Sequence, residues 1–290
     1  MREIIRLLRV QQWIKNTFIY LPIFFGGKLL VPEYWGFSLI AFLSFSLGAS
    51  SIYCLNDIYD VKQDRMHPTK SRRPIAKGSV GEKAAAFIAL LLGIGAVTIW
   101  YFFLPPSGVL VIIIYLALNV LYTIGLKHIP ILDICIIAIG FDLRVVAGGV
   151  STGIPLSPWI IIMVFLLTLM LALSKRRDDV VLFMSEGIQL RESSKGYNLG
   201  FIDQCLGILA SVTIVCYIIY TISPTTAAQF GSEYVYLTTI FVVGGILRYL
   251  QLTIVSNASA NPTSVLLHDR AIQICILLWV LSFIFIIYCS

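Results

Sequence analysis

Charged residues are scarce in this sequence, and their scarcity indicates the fold class. Asp, Glu, Lys and Arg make up 12% of the 290 residues, whereas hydrophobic residues make up 58%. Soluble domains carry roughly 25% charged residues. One soluble core of this length cannot hide so much apolar surface, whereas a lipid bilayer solvates apolar side chains directly. The composition therefore predicts an all-α integral membrane protein.

Two further kinds of chemistry have no support in the sequence. The six cysteines form no C-x-x-C pair, so zinc and dithiol redox chemistry are not predicted, and no nucleic-acid partner is predicted. The N-terminus is not a signal peptide, because Arg2, Arg6 and Arg9 interrupt its apolar residues. It predicts instead a short amphipathic helix in the membrane interface, with its basic residues toward anionic headgroups.

Apolar runs predict one polytopic domain over residues 1–290, a bundle of about nine transmembrane helices. Connections without Lys or Arg join the third span to the fourth and the fifth to the sixth, whereas long basic connections follow the second and the sixth. The predicted spans are 17–31, 35–55, 84–104, 107–125, 130–150, 156–174, 203–222, 233–251 and 270–289.

The basic residues are distributed asymmetrically along this pattern. All of the 21 Lys and Arg residues except Lys28 and Arg144 fall on one side of the predicted membrane. Because positive residues mark the cytoplasmic side, this predicts a cytoplasmic N-terminus and cytoplasmic long loops in a multi-pass protein of the cell (inner) membrane. An odd number of spans then places the C-terminus outside.

The most informative motif ends the second span. A helix continued through it would place Asp57, Asp60 and Asp64 on one face, at i, i+3 and i+7, with Asn56 one turn before Asp60. A few carboxylates beside a charged loop suit Mg²⁺ shared with a substrate phosphate. The alternative is a solvated acidic helix end, paired with neighbouring basic residues such as Arg65.

A basic segment follows directly, and it includes Lys70 and Arg73. Carboxylates that bind Mg²⁺, followed by guanidinium and ammonium groups, are typical of a diphosphate site. Positive-inside topology also explains the basic residues, but it does not explain the carboxylates beside them. The two motifs together predict a diphosphate site on the cytoplasmic face.

These motifs resemble the UbiA superfamily of intramembrane prenyltransferases, and more closely its decaprenyl-phosphate phosphoribosyltransferase branch. The matching segments extend over nearly the whole chain. The first acidic motif is specific to the superfamily, and the basic connection after the sixth span selects the branch. The segments are Gln12–Asn16, Asn56–Lys70 with Arg73–Ile75, Gly140–Arg144, Ser174–Arg177 and Leu247–Tyr249.

The sequence departs from the superfamily pattern after the sixth span. Aromatic prenyltransferases of the superfamily carry a second Asp-x-x-x-Asp cluster there, whereas this chain has Lys175, Arg176 and Arg177 followed by two adjacent aspartates. Phosphoribosyl diphosphate and a lipid phosphate together bring three anionic groups, which call for more fixed positive charge. The alternative is a basic cluster that only sets topology.

Ionisable residues inside predicted spans are candidates for function. Asp142 and Arg144 both fall in the fifth span but do not face each other, and either lining a donor pocket or forming a buried ion network fits them. Other candidates for substrate binding are Lys15, Asn16, Arg248 and Tyr197; for Tyr197 an interfacial aromatic residue is an equal alternative.

The resemblance implies transfer of 5-phosphoribosyl from phosphoribosyl diphosphate to a polyprenyl phosphate in cell wall biosynthesis. Mg²⁺ would be held by Asp57, Asp60 and Asp64, with Asn56 orienting. Phosphoryl groups would be held by Arg65, Lys70, Arg73, Lys175, Arg176 and Arg177. The alternatives are an aromatic prenyltransferase and a lipid or small-molecule transporter, and a homo-oligomer is left open.

Overall fold

The computed structural model of the chain describes residues 2–66, 70–186, 193–256, 265 and 268–289. Helices account for all the regular secondary structure within these residues. Their apolar length and the proline or glycine residues at several helix ends explain where they start and stop. The α-helices are α1 (Arg2–Leu8), α2 (Leu21–Phe25), α3 (Pro32–Tyr59), α4 (Val61–Met66), α5 (Glu82–Phe103), α6 (Ser107–Ile124), α7 (Leu132–Thr152), α8 (Pro158–Glu186), α9 (Leu199–Ile222), α10 (Pro224–Phe230), α11 (Thr239–Leu250) and α12 (Arg270–Cys289).

Eight helical segments of the described chain are long and apolar enough to cross a bilayer. They correspond to the second through ninth predicted spans, so the all-α, multi-pass membrane fold is confirmed. The seventh of these eight, Glu233–Val255, is composite: a 3₁₀ helix Glu233–Thr238, then α11, then a π-helical turn Gln251–Val255. The chain divides into two compact units, residues 1–127 with 139–156, and residues 128–138 with 157–290.

The first predicted span, 17–31, is built differently from the others. An 11-residue 3₁₀ helix, Val10–Tyr20, is followed by the five residues of α2. A 3₁₀ helix rises about 2 Å per residue against 1.5 Å in an α-helix, so these residues extend over roughly 30 Å, close to the thickness of a bilayer's hydrocarbon core. The segment is thus long enough to cross, although it is too short as an α-helix.

This segment runs antiparallel to α3. Trp13 Nε1 donates to Ser50 Oγ (3.0 Å), and Asn16 Nδ2 donates to Ser46 Oγ (2.9 Å). The Tyr20 and Trp35 rings lie 5.5 Å apart near the start of α3. The predicted first span requires a segment that follows α3 from one end toward the other, as these contacts do. The count of nine spans stays a prediction.

Small residues let α3 pack closely on α5. Ser44 Oγ donates to the Ala96 carbonyl (2.8 Å) and Ser51 Oγ to the Ala89 carbonyl (2.7 Å). A Cβ at Gly93 would lie 3.2 Å from Ser51 Oγ. Such side chains allow helix backbones to approach within a membrane, where apolar packing against lipid gives no preference for association. This packing holds the helix that carries the acidic motif.

One glycine fixes the close approach of the first span to α7. A Cβ at Gly148 would lie 2.0 Å from the Ile19 carbonyl oxygen, so only glycine fits there. Ile19 and Ala147 belong to one buried apolar cluster with residues of α3, α5 and α6. The first unit therefore has a continuous core around the 3₁₀ helix Val10–Tyr20.

The second unit has its own core, formed mainly by α8, α9 and α11. Met170, Leu206 and Ile246 are among its buried residues. The side chain of Asn198 caps α9 by accepting a hydrogen bond from the Phe201 amide (2.8 Å). Helix α8 continues to Glu186, well beyond the predicted span 156–174. The basic triplet Lys175–Arg177 consequently lies on a helix rather than in a loop.

Candidate functional site

The acidic motif lies on an almost continuous helix. Helix α3 ends at Tyr59, yet the Asp60 amide still donates to the Asn56 carbonyl (2.9 Å) and the Asp64 amide to the Asp60 carbonyl (2.9 Å). Helical hydrogen bonding thus carries over from α3 into α4. Asp57 and Asp64 are both buried, with 2% and 3% of their surface exposed. The predicted common face is confirmed for this pair.

Two carboxylates of the motif converge on one guanidinium group. Arg73 Nη1 lies 3.0 Å from Asp57 Oδ1 and 2.6 Å from Asp64 Oδ2. Arg9 Nη2 also donates to Asp57 Oδ1. The second carboxylate oxygen of Asp57, Oδ2, is buried and has no hydrogen-bond partner among the described residues. One acceptor of the cluster is therefore left unsatisfied.

Asp60 takes a different partner from its two neighbours. Its Oδ1 accepts from Lys127 Nζ, and the same ammonium lies 5.1 Å from the centre of the Tyr59 ring. Tyr59 Oη in turn donates to the Ile124 carbonyl (2.7 Å). This arrangement ties the end of α3 to the connection after α6. The Asp60 carboxylate therefore forms an ion pair with Lys127 and does not join Asp57 and Asp64 at Arg73.

These residues fit a magnesium ion in one specific way. No group of three or more His, Cys, Asp or Glu side chains in the described part of the chain is arranged as a metal site, so the predicted trio is not assembled. Asp57 and Asp64 do converge on a single cationic nitrogen, and Asp57 has a free buried oxygen. Mg²⁺ typically takes only one or two protein carboxylates together with phosphate oxygens and waters. The pair fits that requirement.

A second polar network lies within the membrane-spanning part of the same unit. Arg144 is buried, and its Nε donates to Asn16 Oδ1 (2.7 Å), Nη1 to the Gly140 carbonyl (2.5 Å) and Nη2 to Tyr115 Oη (3.0 Å). Its guanidinium also lies over the Tyr115 and Phe141 rings, at 4.9 and 5.3 Å. All of these partners are neutral, so they do not cancel its positive charge.

Lys15 adds a second positive charge to this region. Lys15 is half-buried on the 3₁₀ helix Val10–Tyr20, next to Asn16, the partner of Arg144. Asp142 does not pair with Arg144: its buried Oδ1 lacks a hydrogen-bond partner among the described residues. The predicted separation of Asp142 and Arg144 is thus confirmed, and excess positive charge lies near Lys15.

The basic triplet does not present three cations to one place. Successive residues of an α-helix point about 100° apart, and α8 carries Lys175 exposed but Arg176 and Arg177 buried, with side-chain exposures of 1% and 6%. The sequence prediction treated the three as one supply of charge to the substrate. Their different environments give them different structural partners.

Arg176 is the centre of a buried ion cluster. Its Nε donates to Asp133 Oδ2 (2.7 Å) and its Nη1 to Asp179 Oδ2 (3.2 Å). Asp133, fully buried, also accepts from Ser193 Oγ (3.1 Å) and Tyr197 Oη (3.0 Å). The cluster thereby joins the start of α7, the middle of α8 and the segment before α9. Asp179, one of the two adjacent aspartates that follow the basic triplet, is therefore part of this ion cluster.

Tyr197 has a structural role in that cluster. Burial raises the pKa of Tyr197, so the phenol keeps its proton and donates a hydrogen bond to Asp133. Its oxygen accepts from the Ile131 amide (2.5 Å), and Ile131 has a φ of 68°, an unfavourable conformation for a β-branched residue. Tyr197 therefore helps to hold a strained turn, and its predicted role in substrate binding stays a prediction.

Arg177 binds the end of α11. Its Nε donates to Asp203 Oδ1 (2.7 Å), and its Nη1 donates to the Thr253 carbonyl (2.9 Å) in the π-helical turn. Such turns leave carbonyls without regular helical partners, which a guanidinium satisfies well. Arg176 and Arg177 thus have internal partners, and a role for either in donor binding stays a prediction.

The other predicted residues lie in more open positions. Arg248 pairs with Asp269 (2.8 Å), and this hydrogen bond lowers the pKa of the Asp269 carboxyl. Arg65 is exposed on α4, and Lys70 opens a 3₁₀ turn, Lys70–Arg72, that leads to Arg73. Residues 67–69 of the predicted basic segment lie outside the described residues, and Asn56 is half-buried on α3.

Two cations of the site were not singled out from the sequence. Arg9 and Lys127 contribute to the ion pairs of Asp57 and Asp60, from 48 and 67 residues away along the chain. In the sequence Arg9 lies in the basic N-terminal segment and Lys127 is an isolated cation between two apolar runs, so neither belongs to a recognisable motif. Only the contacts distinguish them from the other basic residues of the chain.

Comparison with known proteins points to one family. The sequence pattern of the UbiA prenyltransferase family matches residues 19–273. The decaprenyl-phosphate phosphoribosyltransferase of Mycolicibacterium smegmatis is 35% identical to this chain over 289 residues, covering 96% of this chain and 90% of that protein. The protein of the same name from Corynebacterium glutamicum is 32% identical, covering 98% and 86%.

Solved structures share the fold. A UbiA homologue from Archaeoglobus fulgidus, bound to GPP and Mg²⁺, superposes with a TM-score of 0.71 at 17% identity, covering 98% of this chain and 99% of that chain. A structure of the same archaeal homologue with Cd²⁺ gives a TM-score of 0.68 at 16% identity. Divalent cations are therefore bound by proteins of this fold.

Proposed function

Since the chain belongs to the UbiA prenyltransferase family, we propose that it transfers the 5-phosphoribosyl group of phosphoribosyl diphosphate to a decaprenyl-like polyprenyl phosphate. The observation that carries this is the similarity to decaprenyl-phosphate phosphoribosyltransferases at 32–35% identity along nearly the whole chain. The donor is soluble and the acceptor's tail stays in the bilayer. A site at the cytoplasmic end of α3 suits both substrates.

Asp57 and Asp64 are the residues that would hold Mg²⁺. The bound ion would supply charge neutralisation for the leaving diphosphate. Arg73, which contacts both carboxylates, is placed to bind diphosphate oxygens near them. Guanidinium groups bind phosphate oxygens through paired, charge-assisted hydrogen bonds. Charge stabilisation of the departing group is the main contribution that these side chains make to the reaction.

No general base is required from the protein. Positive charge develops on the ribose ring as the C1–O bond to diphosphate breaks, and the acceptor phosphate is already an anion near neutral pH. The protein must therefore supply positive charge and orientation to several phosphoryl groups. Lys15 and Arg144 provide uncancelled positive charge in the first unit, and Lys175 provides an exposed cation on α8.

An aromatic prenyltransferase with a polyprenyl diphosphate donor is the alternative reaction. It is disfavoured because Asp178 and Asp179 are adjacent, and Asp179 is engaged by Arg176. The deciding experiment incubates purified protein with Mg²⁺ and labelled phosphoribosyl diphosphate plus polyprenyl phosphate, or with prenyl diphosphate plus an aromatic acid. Labelled lipid from the first mixture alone supports the proposal. Product from the second mixture alone refutes it.

We expect the charge of Lys15 to contribute to substrate binding. A Lys15→Gln variant should raise the KM of a phosphate-bearing substrate about tenfold, the effect of losing one charged hydrogen bond. A Lys15→Arg variant, which stays charged, should keep most of the affinity. A wild-type KM in Lys15→Gln would show that Lys15 does not bind the substrate.

Topology is testable with single introduced cysteines in a background without the native ones. The basic-residue asymmetry predicts that Lys77→Cys is labelled only from the cytoplasm and Pro155→Cys only from outside; both positions are exposed. Position 290, outside the described residues, should be labelled from outside. Cytoplasmic labelling at 290, with Lys77→Cys still labelled from the cytoplasm, would mean that a span between residues 77 and 290 is miscounted.

A further inference from the structure

Arg9 has an unusual backbone conformation. Its φ and ψ of 50° and 47° are left-handed, and Ile131 is the only other non-glycine residue with positive φ among the described residues. This conformation is unfavourable for L-amino acids other than glycine, asparagine and aspartate, and it persists only where the surroundings hold it. It lies between α1 and the 3₁₀ helix Val10–Tyr20.

The contacts on both sides of Arg9 explain how this conformation is held. Leu7 is fully buried in a cluster with Cys54 and Val61, and Ser50 Oγ donates to the Leu8 carbonyl (2.8 Å). The guanidinium of Arg9 lies 5.0 Å from the centre of the Tyr53 ring and donates to Asp57. The left-handed turn therefore directs a cation into the carboxylate cluster.

The charges of this cluster balance only while no metal is bound. Arg9 and Arg73 offset the carboxylates of Asp57 and Asp64. A divalent cation bound there adds two positive charges, which an incoming diphosphate offsets if the guanidinium groups pair with its oxygens. The buried Oδ2 of Asp57 has no hydrogen-bond partner in the described residues, so Asp57 still has acceptor capacity beyond its two arginines. The cluster is thus arranged for an exchange of partners.

We propose that Arg9 is a diphosphate-binding residue. In the free enzyme it pairs with Asp57, and when a divalent cation binds the Asp57 carboxylate, Arg9 pairs with the substrate diphosphate instead. This rests on the proposed function for the identity of the donor, although the exchange itself requires only a diphosphate. No bond in Arg9 or the substrate is made or broken in this step. The N-terminal segment becomes part of the active site rather than only a membrane-interface element.

The proposal predicts two effects of opposite sign. Without Arg9, Asp57 loses a competing cation, so the affinity for Mn²⁺ in the absence of substrate should rise about tenfold. The affinity for inorganic diphosphate at saturating Mg²⁺ should fall about tenfold, because one charged hydrogen bond to the ligand is lost. A purely structural role for Arg9 would weaken both.

Two substitutions separate the side chain from the backbone. Arg9→Gly removes the guanidinium and relieves the left-handed strain, whereas Arg9→Ala removes the guanidinium and keeps the strain. Both should give the same binding changes, with Arg9→Ala the less thermally stable of the two. Arg6→Ala is the matched control, because Arg6 is exposed on α1 and pairs with Glu3. It should leave both affinities unchanged.

The measurements are equilibrium binding of Mn²⁺ and of Mg²⁺ with inorganic diphosphate, to full-length protein in lipid nanodiscs. Tighter Mn²⁺ and weaker diphosphate binding in both Arg9 variants support the exchange. Unchanged diphosphate affinity in a folded Arg9→Gly protein, or weaker Mn²⁺ binding, overturns it. These results do not depend on turnover: wild-type protein that binds diphosphate but forms no phosphoribosyl lipid would refute the proposed function alone.

Discussion

Replacing Asp57 by alanine is expected to lower turnover by at least about two orders of magnitude in protein that is properly inserted. Asp57 is buried, converges with Asp64 on one cation and retains an oxygen without a partner in the described residues. Removing one group that stabilises developing charge typically lowers kcat by about 10²–10³. Asp57→Asn, which keeps the shape but not the charge, should lose nearly as much.

The measurement is the initial rate of labelled product formation over a range of Mg²⁺ concentrations, with chelator as the zero point. Chelation should abolish turnover in the wild type. Glu33→Ala is a suitable control, because Glu33 is an exposed carboxylate in the first turn of the same helix α3. Near-normal turnover by the Asp57→Ala enzyme would remove this carboxylate from the proposed metal site.

The neighbouring carboxylates are expected to rank differently from what their spacing indicates. By position alone Asp64 lies at the far end of the acidic face and should matter least. The contacts reverse this order, because Asp64 shares Arg73 with Asp57 whereas Asp60 pairs with Lys127. We therefore expect a larger loss of turnover in Asp64→Ala than in Asp60→Ala, measured under the same conditions.

The sequence predicted those features that depend on local periodicity. The helical spacing of Asp57 and Asp64 was visible because the chain keeps helical hydrogen bonds from α3 into α4. The apolar runs gave eight of the spans because a bilayer requires long apolar helices. The first span was harder to place, since a 3₁₀ helix extends further per residue than the α-helix that a hydropathy pattern assumes.

Long-range partners were not predictable from one sequence. Arg9 meets Asp57 and Lys127 meets Asp60 only through the packing of the first unit. The basic triplet Lys175–Arg177 was predicted to lie in a loop, and that prediction was wrong for another reason. Its polar composition is typical of a loop, whereas α8 continues through it and turns its members in different directions. Arg176 consequently meets carboxylates that a loop would not have brought to it.

The second large effect is expected from Arg176, and it concerns stability. Replacing Arg176 by alanine would leave Asp133 and Asp179 buried without their shared guanidinium. Breaking a buried ion pair by removing one partner costs about 3–5 kcal/mol, because the remaining charge stays uncompensated. We therefore expect Arg176→Ala to lower the free energy of unfolding by about that amount, measured by denaturant titration in mixed micelles.

Lys175→Ala is the matched comparison on the same helix. Lys175 is exposed, so its removal should change the free energy of unfolding by less than about 0.5 kcal/mol. If Lys175 is the member of the triplet that reaches a substrate phosphate, this variant should raise the donor KM about tenfold, the effect of one charged hydrogen bond. Replacing Arg176 would then change the free energy of unfolding, whereas replacing Lys175 would change the donor KM.

A double replacement tests whether the Arg176 effect comes from uncompensated charge. Asp133→Asn neutralises one carboxylate and keeps one acceptor oxygen, enough for one of the two hydroxyls, Ser193 or Tyr197, that donate to separate carboxylate oxygens. In an Arg176→Met background it should recover part of the lost stability, since a neutral replacement of a buried pair is tolerated better than half a pair. A stable Arg176→Ala protein with a strongly raised donor KM would contradict this reasoning. It would mean that the guanidinium serves the substrate, as the basic triplet alone predicted.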